Sequence, residues 1–289
     1  MGNPFYVFAP AALAAIALTT ASCGSKAGDS ATLPIDNFEI NETFKTASAT
    51  YSIAPANGGD EYTADYTQTA VSIQWPVKYG ENDITSLQDS LIANVFGLEG
   101  VTIDQAITSF LEMPLGYGDY DLTLVDEPRP GGDVWLTSVS AHTVGFCERY
   151  IVYRITEFED NGGAHPSYAS KFLNYDIRRN AVLDFNDIFS PGNDEALLDA
   201  VVAGLLDLYF AYSPEELEEK SGIITESIYL THNIYITGSD IVFHYNPYEI
   251  APGSVGPIEV QLHEYDLEEF LTPEALALFW WNDGQFDEK

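Results

Sequence analysis

Residues 148–189 are the stretch that most narrows what this chain can become. Arg149, Ile151, Tyr153, Ile155 and Glu157 fall on one face of an extended segment, and Tyr150, Val152, Arg154, Thr156 and Phe158 on the other. β-branched and aromatic residues dominate both faces, as in a strand packed in part on each side. Asn161-Gly162-Gly163-Ala164-His165-Pro166 follows. Both glycines can take positive φ at little steric cost, and Asn161 tolerates it better than most residues. Pro166 turns His165 away from the α region, so the chain leaves the loop extended. A second strand-like run carries Tyr168, Phe172 and Tyr175, and Asn180 is the residue after it best suited to a left-handed turn. The segment therefore reads as a β-hairpin from which a sheet is built outward.

A sheet of that kind needs a core, and 289 residues with 46% hydrophobic content supply one. The 45 acids against 11 bases give a net charge of −34. Such a surface repels phosphate backbones and excludes nucleic acid as a partner. Its ordinary consequence is solubility or adaptation to salt; the alternative is faster encounter with cationic partners.

The first 22 residues read as a secretory signal. Residues 5–22 are apolar or small, and no charge occurs before Lys26. Ala21-Ser22-Cys23 is similar to the end of a bacterial lipobox, which makes Cys23 the lipid-attachment residue. Thr20 stands where a Leu is usual, and the basic leader of such signals is missing, which suggests a translation start further upstream. A membrane-spanning anchor is the other reading, but about 18 residues interrupted by Pro10 and several hydroxyls make a poor span. Residues 23–37 are small and polar and read as a lipidated tether. If Cys23 carries lipid, Cys147 has no intramolecular partner, and its apolar surroundings suit a small buried hydrophobe.

Beyond the tether, Asn57-Gly58-Gly59-Asp60 marks a turn, and Val71, Ile73 and Trp75 alternate in a strand stopped or edged by Pro76. Leu87, Leu91, Ile92, Val95 and Phe96 share a helical face ended by Gly97. Thr102 and Gln105 have capping-box spacing at the start of a second helix, which Pro114 stops. After a strand over 134–144 and the hairpin, an amphipathic helix is predicted over 194–209, and Ser213-Pro214 opens another. Paired strands follow over 228–236 and 241–245, a last strand over 257–262, and short helices over 265–271 and 273–279. Strands and helices come in clusters, so the fold class is α+β: mainly antiparallel sheet with packed helices.

Three stretches, EFEDNGGAHPSYASKFLNYD, LDFNDIF and FHYNPYEIAPGSVGPIEVQL, resemble the ectodomain of the RsiV-like family, the lysozyme-sensing anti-sigma factors. A related module precedes the catalytic domain of PdaC-type peptidoglycan deacetylases. The resemblance covers residues 38–279 and implies two subdomains, a PdaC-like 38–131 and an RsiV-like 132–289. It implies an envelope setting and, as partners, a basic protein such as a lysozyme or a cell-wall glycan. The 289 residues hold no evident cytosolic segment and no deacetylase domain, so neither activity is expected of them. Glu159-Asp160-Asn161 replaces the aromatic and Thr expected before the two glycines.

Candidate chemistry is sparse. His165, presented on the glycine loop with Asp160 and Asn161, could bind a ligand; the alternative is a ring that hydrogen-bonds the loop backbone and fixes its shape. Gly162, Gly163 and Pro166 are read as structural. The five histidines show no metal spacing, and neither metal nor cofactor is expected. Asp184/Asp187 and Glu157/Glu159 are carboxylate pairs of the kind glycosidases use, but 45 acids produce such pairs by chance. Asp119/Asp121 lacks the rest of a calcium loop. No GxSxG, P-loop or dinucleotide fingerprint occurs, and no catalytic residue is assigned. Tyr245 and Tyr248, flanking Asn246-Pro247, could form a sugar- or protein-binding surface; the alternative is sheet packing. These readings describe a non-catalytic envelope lipoprotein that binds a protein or glycan, with a peptidoglycan-acting hydrolase as the alternative. Replacing Cys23 with Ala should release the protein from membranes, since an acyl chain contributes about 0.8 kcal/mol per buried CH2. Fractionation that still finds Cys23→Ala in the membrane would count against the lipid anchor.

Overall fold

The computed structural model describes residues 40–55, 64–112 and 120–279. The leader, tether, Cys23, the turn at Asn57, Pro114 and Asp119 lie outside the described residues. The elements in order are β1 (Ile40–Pro55), β2 (Tyr66–Tyr79), α1 (Thr85–Phe96), α2 (Ile103–Glu112), β3 (Tyr120–Val125), β4 (Val134–Phe146), β5 (Tyr150–Asp160), β6 (Ser167–Asp176) and β7 (Ala181–Leu183). The chain continues through α3 (Phe185–Ile188), α4 (Asp194–Leu208), α5 (Pro214–Ser221), β8 (Ile234–Thr237), β9 (Asp240–Tyr245), β10 (Ile258–His263), α6 (Glu264–Leu267) and α7 (Pro273–Phe279). This is an α+β fold.

The hairpin read from the sequence is β5–β6, with Arg154 opposite Phe172 and Glu159 opposite Ser167. Of the two loop glycines only Gly162 is left-handed, at φ +70°. A side chain there would also press on the Trp135 indole, 3.1 Å from the Cβ position. Asn180 takes φ +54°, and its Oδ1 accepts the Tyr175 hydroxyl at 2.6 Å.

The hairpin lies inside a seven-stranded sheet of order β3-β1-β2-β4-β5-β6-β7. Every pairing is antiparallel except β2–β4, whose connection runs through α1, α2 and β3. The predicted subdomain join at Gly131 falls in the β3–β4 connection, and one sheet runs across it. Pro76 does not stop β2; of the two expected outcomes it takes the other and stands where the strand is an edge. Pairing to β4 has already ended at Ile73, and a register shift at Asn41/Glu42 breaks the β1 ladder beside the proline. The missing N–H therefore falls where the ladder has little use for it.

Two cores form on the two faces. Val71, Ile73, Trp75, Val139, Ala141, Ile151, Tyr153 and Ile155 face α1 and α2. Gly97 ends α1 at φ +67°, and the Thr102/Gln105 capping box is present at 2.9 and 3.3 Å. On the other face Tyr150 and Val152 meet a second, three-stranded sheet of order β10-β9-β8, backed by α4 through Leu197, Val201 and Leu205. The predicted strand over 228–236 begins only at Ile234. Before it, Thr231 Oγ1 accepts the Asn233 N–H and donates to the His244 carbonyl, which folds the backbone into a turn.

Helix α4 approaches β10 closely because Gly204 has no side chain; a Cβ there would lie 2.6 Å from Val260 Cγ1. Its neighbour Leu205 is fully buried. Leu205→Ala is expected to lower the unfolding free energy by about 2–5 kcal/mol, seen as a lower urea midpoint with unchanged slope. A loss below about 1 kcal/mol would mean that α4 is not part of the core.

Candidate functional site

The loop between β5 and β6 is exposed at His165, Asn161, Gly162, Gly163 and Pro166. Its shape is held by Asp160 Oδ1, which accepts the Gly162 N–H at 3.1 Å. No described residue hydrogen-bonds the His165 ring, so among the described residues the aspartate, not the histidine, staples the loop. Tyr245 and Tyr248 point in opposite senses. Tyr245 is fully buried and donates to the Tyr229 carbonyl at 2.6 Å, and burial pushes its phenol far above the ordinary value. Tyr248 is 72% exposed at φ +72°, with its ring over Gly253, where any side chain would collide with it. Among the described residues no bond or ring contact joins the hairpin loop to either tyrosine.

The structure assembles a different cluster, between the two sheets. His244 on β9 lies opposite Glu259 on β10, and Arg154 on β5 opposite Phe172 on β6. His244 Nδ1 meets Glu259 Oε1 at 3.0 Å, and Arg154 donates to the same oxygen at 2.6 Å. Tyr235 donates to Oε2 at 3.3 Å and stacks on Phe172, with ring centroids 4.2 Å apart. The Arg154 guanidinium lies 5.2 Å from the centre of that Phe172 ring, and its Nε is buried without a hydrogen-bond partner among the described residues. The carboxyl of Glu259 is held below the ordinary range, first by the bond from His244 and then by the charge on Arg154, against the opposing effect of its burial. Burial and the Glu259 charge push the Tyr235 phenol up to about 12.

This cluster has half of an acid–base machine. Glu259 requires a proton on His244 Nδ1, as a catalytic histidine requires of its carboxylate. The other nitrogen, Nε2, faces Asn246 Oδ1 at 3.2 Å, and that oxygen already accepts the Ser170 backbone N–H at 2.6 Å. The backbone donor decides which way the amide points. Thus Nε2 meets an amide oxygen and no hydroxyl, and the histidine is only 2% exposed. The one local signal was a polar residue at an inward position of each apolar strand: Arg154, His244 and Glu259.

The remaining candidates have structural roles. Asp184 and Asp187 form the reciprocal capping box of α3. Glu157 lies on the exposed surface 3.9 Å from Lys171. His232 stacks on Phe185 at 4.0 Å, and His263 caps α6. His142 is partly buried beside Phe44, and desolvation lowers its pKa. Cys147 is half-buried, its Sγ accepting the Arg149 N–H at 3.4 Å.

Residues 186–264 match a family described as "Protein of unknown function (DUF3298)". That region holds His244, Asn246 and Glu259. A DUF3298 family member from Bacteroides fragilis has a similar crystal structure, with a TM-score of 0.64 at 23% identity, covering 83% of this chain and 97% of that one. A Pseudomonas aeruginosa DUF3298 protein has a TM-score of 0.53 at 18% identity, over 83% and 97% of the two chains. These likenesses carry the fold. The protein named Esterase Rv3036c of Mycobacterium tuberculosis is 27% identical over 112 residues, which are 36% of this chain and 45% of the esterase. The match thus spans less than half of that relative.

Glu259 links the cluster to acid stability. A carboxyl whose pKa is lower folded than unfolded adds stability above its unfolded value, about 4.3, and loses it as pH falls through the folded value. Wild type should therefore lose stability below about pH 4.3 more steeply than Glu259→Gln. Urea midpoints measured for both from neutral to acid pH check this, and two parallel curves would show that Glu259 carries no such linkage.

Proposed function

We propose that this chain is a non-catalytic, lipid-anchored domain of the bacterial cell envelope, of the RsiV/PdaC type, that binds a protein or a cell-wall glycan. The observation that carries the reading is His244: its carboxylate partner is in place, but its other nitrogen faces an amide oxygen, which accepts hydrogen bonds and has no proton to give up, and the ring is closed to solvent. An acyl-transfer site needs a nucleophile at that nitrogen and room for a substrate. The apolar leader ending at Cys23 supports the lipid anchor, and the −34 charge suits a basic partner of lysozyme type. A second reading, an ester or peptidoglycan hydrolase, is favoured by the 27% identity to the mycobacterial esterase.

Short-chain p-nitrophenyl esters and purified peptidoglycan separate the two. The binding reading expects no ester turnover above the spontaneous rate and no released muropeptides. Turnover that scales with protein and disappears when a single carboxylate or histidine is changed would establish the hydrolase instead.

A further inference from the structure

Strand register places five hydroxyl side chains in one line across the large sheet. Thr46 on β1 is opposite Ser72 on β2, Ser72 opposite Ser140 on β4, Ser140 opposite Thr156 on β5, and Thr156 opposite Ser170 on β6. Directly paired residues share a face, so all five project from the face opposite α1 and α2. At the β6 end the line passes beneath the small sheet: Ser170 is buried, and its Oγ lies 2.9 Å from Thr156 Oγ1. Towards β1 it emerges, with Ser140 and Ser72 half-buried and Thr46 exposed. Among the described residues no protein group hydrogen-bonds the hydroxyls of Thr46, Ser72 or Ser140.

Aromatic rings border this line on both sides. Phe44, 57% exposed, lies on one side with its ring centroid 6.4 Å from that of His142. On the other side Phe158 pairs with Tyr168, which is 40% exposed. The line itself carries no charge, although the chain carries −34.

We infer that this face is a binding site for an extended, uncharged glycan of β-1,4-linked type, laid across the strands. The inference rests on the reading of the chain as a binding domain and supplies its ligand class and location. A polycation would seek carboxylates, which the line lacks, and an apolar protein surface would strand hydroxyls without partners. A polysaccharide offers matching hydroxyls together with apolar ring faces for Phe44 and Tyr168. Spacing agrees as well. Neighbouring strands lie about 4.8 Å apart, close to the length of one pyranose unit in an extended β-1,4 chain. Each strand can thus present one hydroxyl to each sugar.

The test is calorimetric titration of the full-length protein in detergent with the β-1,4 tetramers of N-acetylglucosamine and of glucose. Three proteins are compared: wild type, the triple variant Thr46→Val/Ser72→Ala/Ser140→Ala, and Tyr212→Ala, an exposed residue of the α4–α5 connection, as a control away from this line. Binding is expected with at least one tetramer, weakened at least about tenfold in the triple variant, with its urea midpoint retained, and unchanged in Tyr212→Ala. Preference for the acetylated sugar would place the ligand in the peptidoglycan or chitin class. No heat with either sugar, or equal affinity in wild type and triple variant, overturns the inference. Reducing ends are assayed in the same mixtures. Their release by wild type would overturn the non-catalytic reading and leave the site standing, whereas silence in both assays removes the site alone.

Discussion

Three asparagine amides hold this molecule together. β7 covers only the end of β6, from Asn174 to Asp176, which leaves the backbone of β6 unpaired on that side before Asn174. An exposed strand edge is a standing hazard, and a buried one is a large unmet cost. Here side chains meet it. Asn246 Oδ1 accepts the Ser170 N–H at 2.6 Å, and Asn233 Nδ2 donates to the Ser170 carbonyl at 2.8 Å. In the reverse direction, Asn174 on β6 donates to the Ile234 carbonyl at 2.8 Å and accepts the Ile236 N–H at 3.0 Å, which satisfies the edge of β8. The small sheet is thereby joined to the large one where a further strand could have run.

Everything about the inter-sheet cluster depends on that junction. Asn246 is bound to β6, so its oxygen stands in front of His244, and the histidine is closed before any substrate could reach it. The same junction puts the small sheet over β5, β6 and the Gly145 end of β4, where Tyr150 and Val152 need cover, while among the described residues β1 and β2 take no part in that core. Where the face is covered it is apolar or internally bonded. Where it is open it is hydroxylic. One sheet surface thus passes from core to candidate ligand platform within a few strands.

Much of the architecture follows from local rules. The β5–β6 hairpin, the left-handed Asn180, the Gly97 stop and the Thr102/Gln105 box each depend on neighbours within a few residues, so periodicity and turn chemistry were enough to find them. Pro76 left two outcomes open, and residues 228–233 went the other way. At Pro76 a register shift in a strand distant in sequence removed the demand for a donor, and at 228–233 a hydroxyl from Thr231 replaced ladder bonds. The carboxylate pair Asp184/Asp187 was visible as a pair, but its purpose as a helix cap needed the exact start of a four-residue helix.

By itself, then, the sequence determined the class of fold, the hairpin and its loop, and the capping of several helices, because those are decided by contacts short in sequence. It also determined the acidity, 45 acids against 11 bases. Only the tertiary structure decided that no described residue hydrogen-bonds the His165 ring, that Tyr245 is buried while Tyr248 is exposed, and that His244, Glu259 and Arg154 meet. It alone decided that hydroxyls from five strands fall in one line. Those arrangements depend on strand register and on how two sheets meet, and register joins residues as far apart in sequence as Thr50 and Val125 through backbone bonds that every residue type can make.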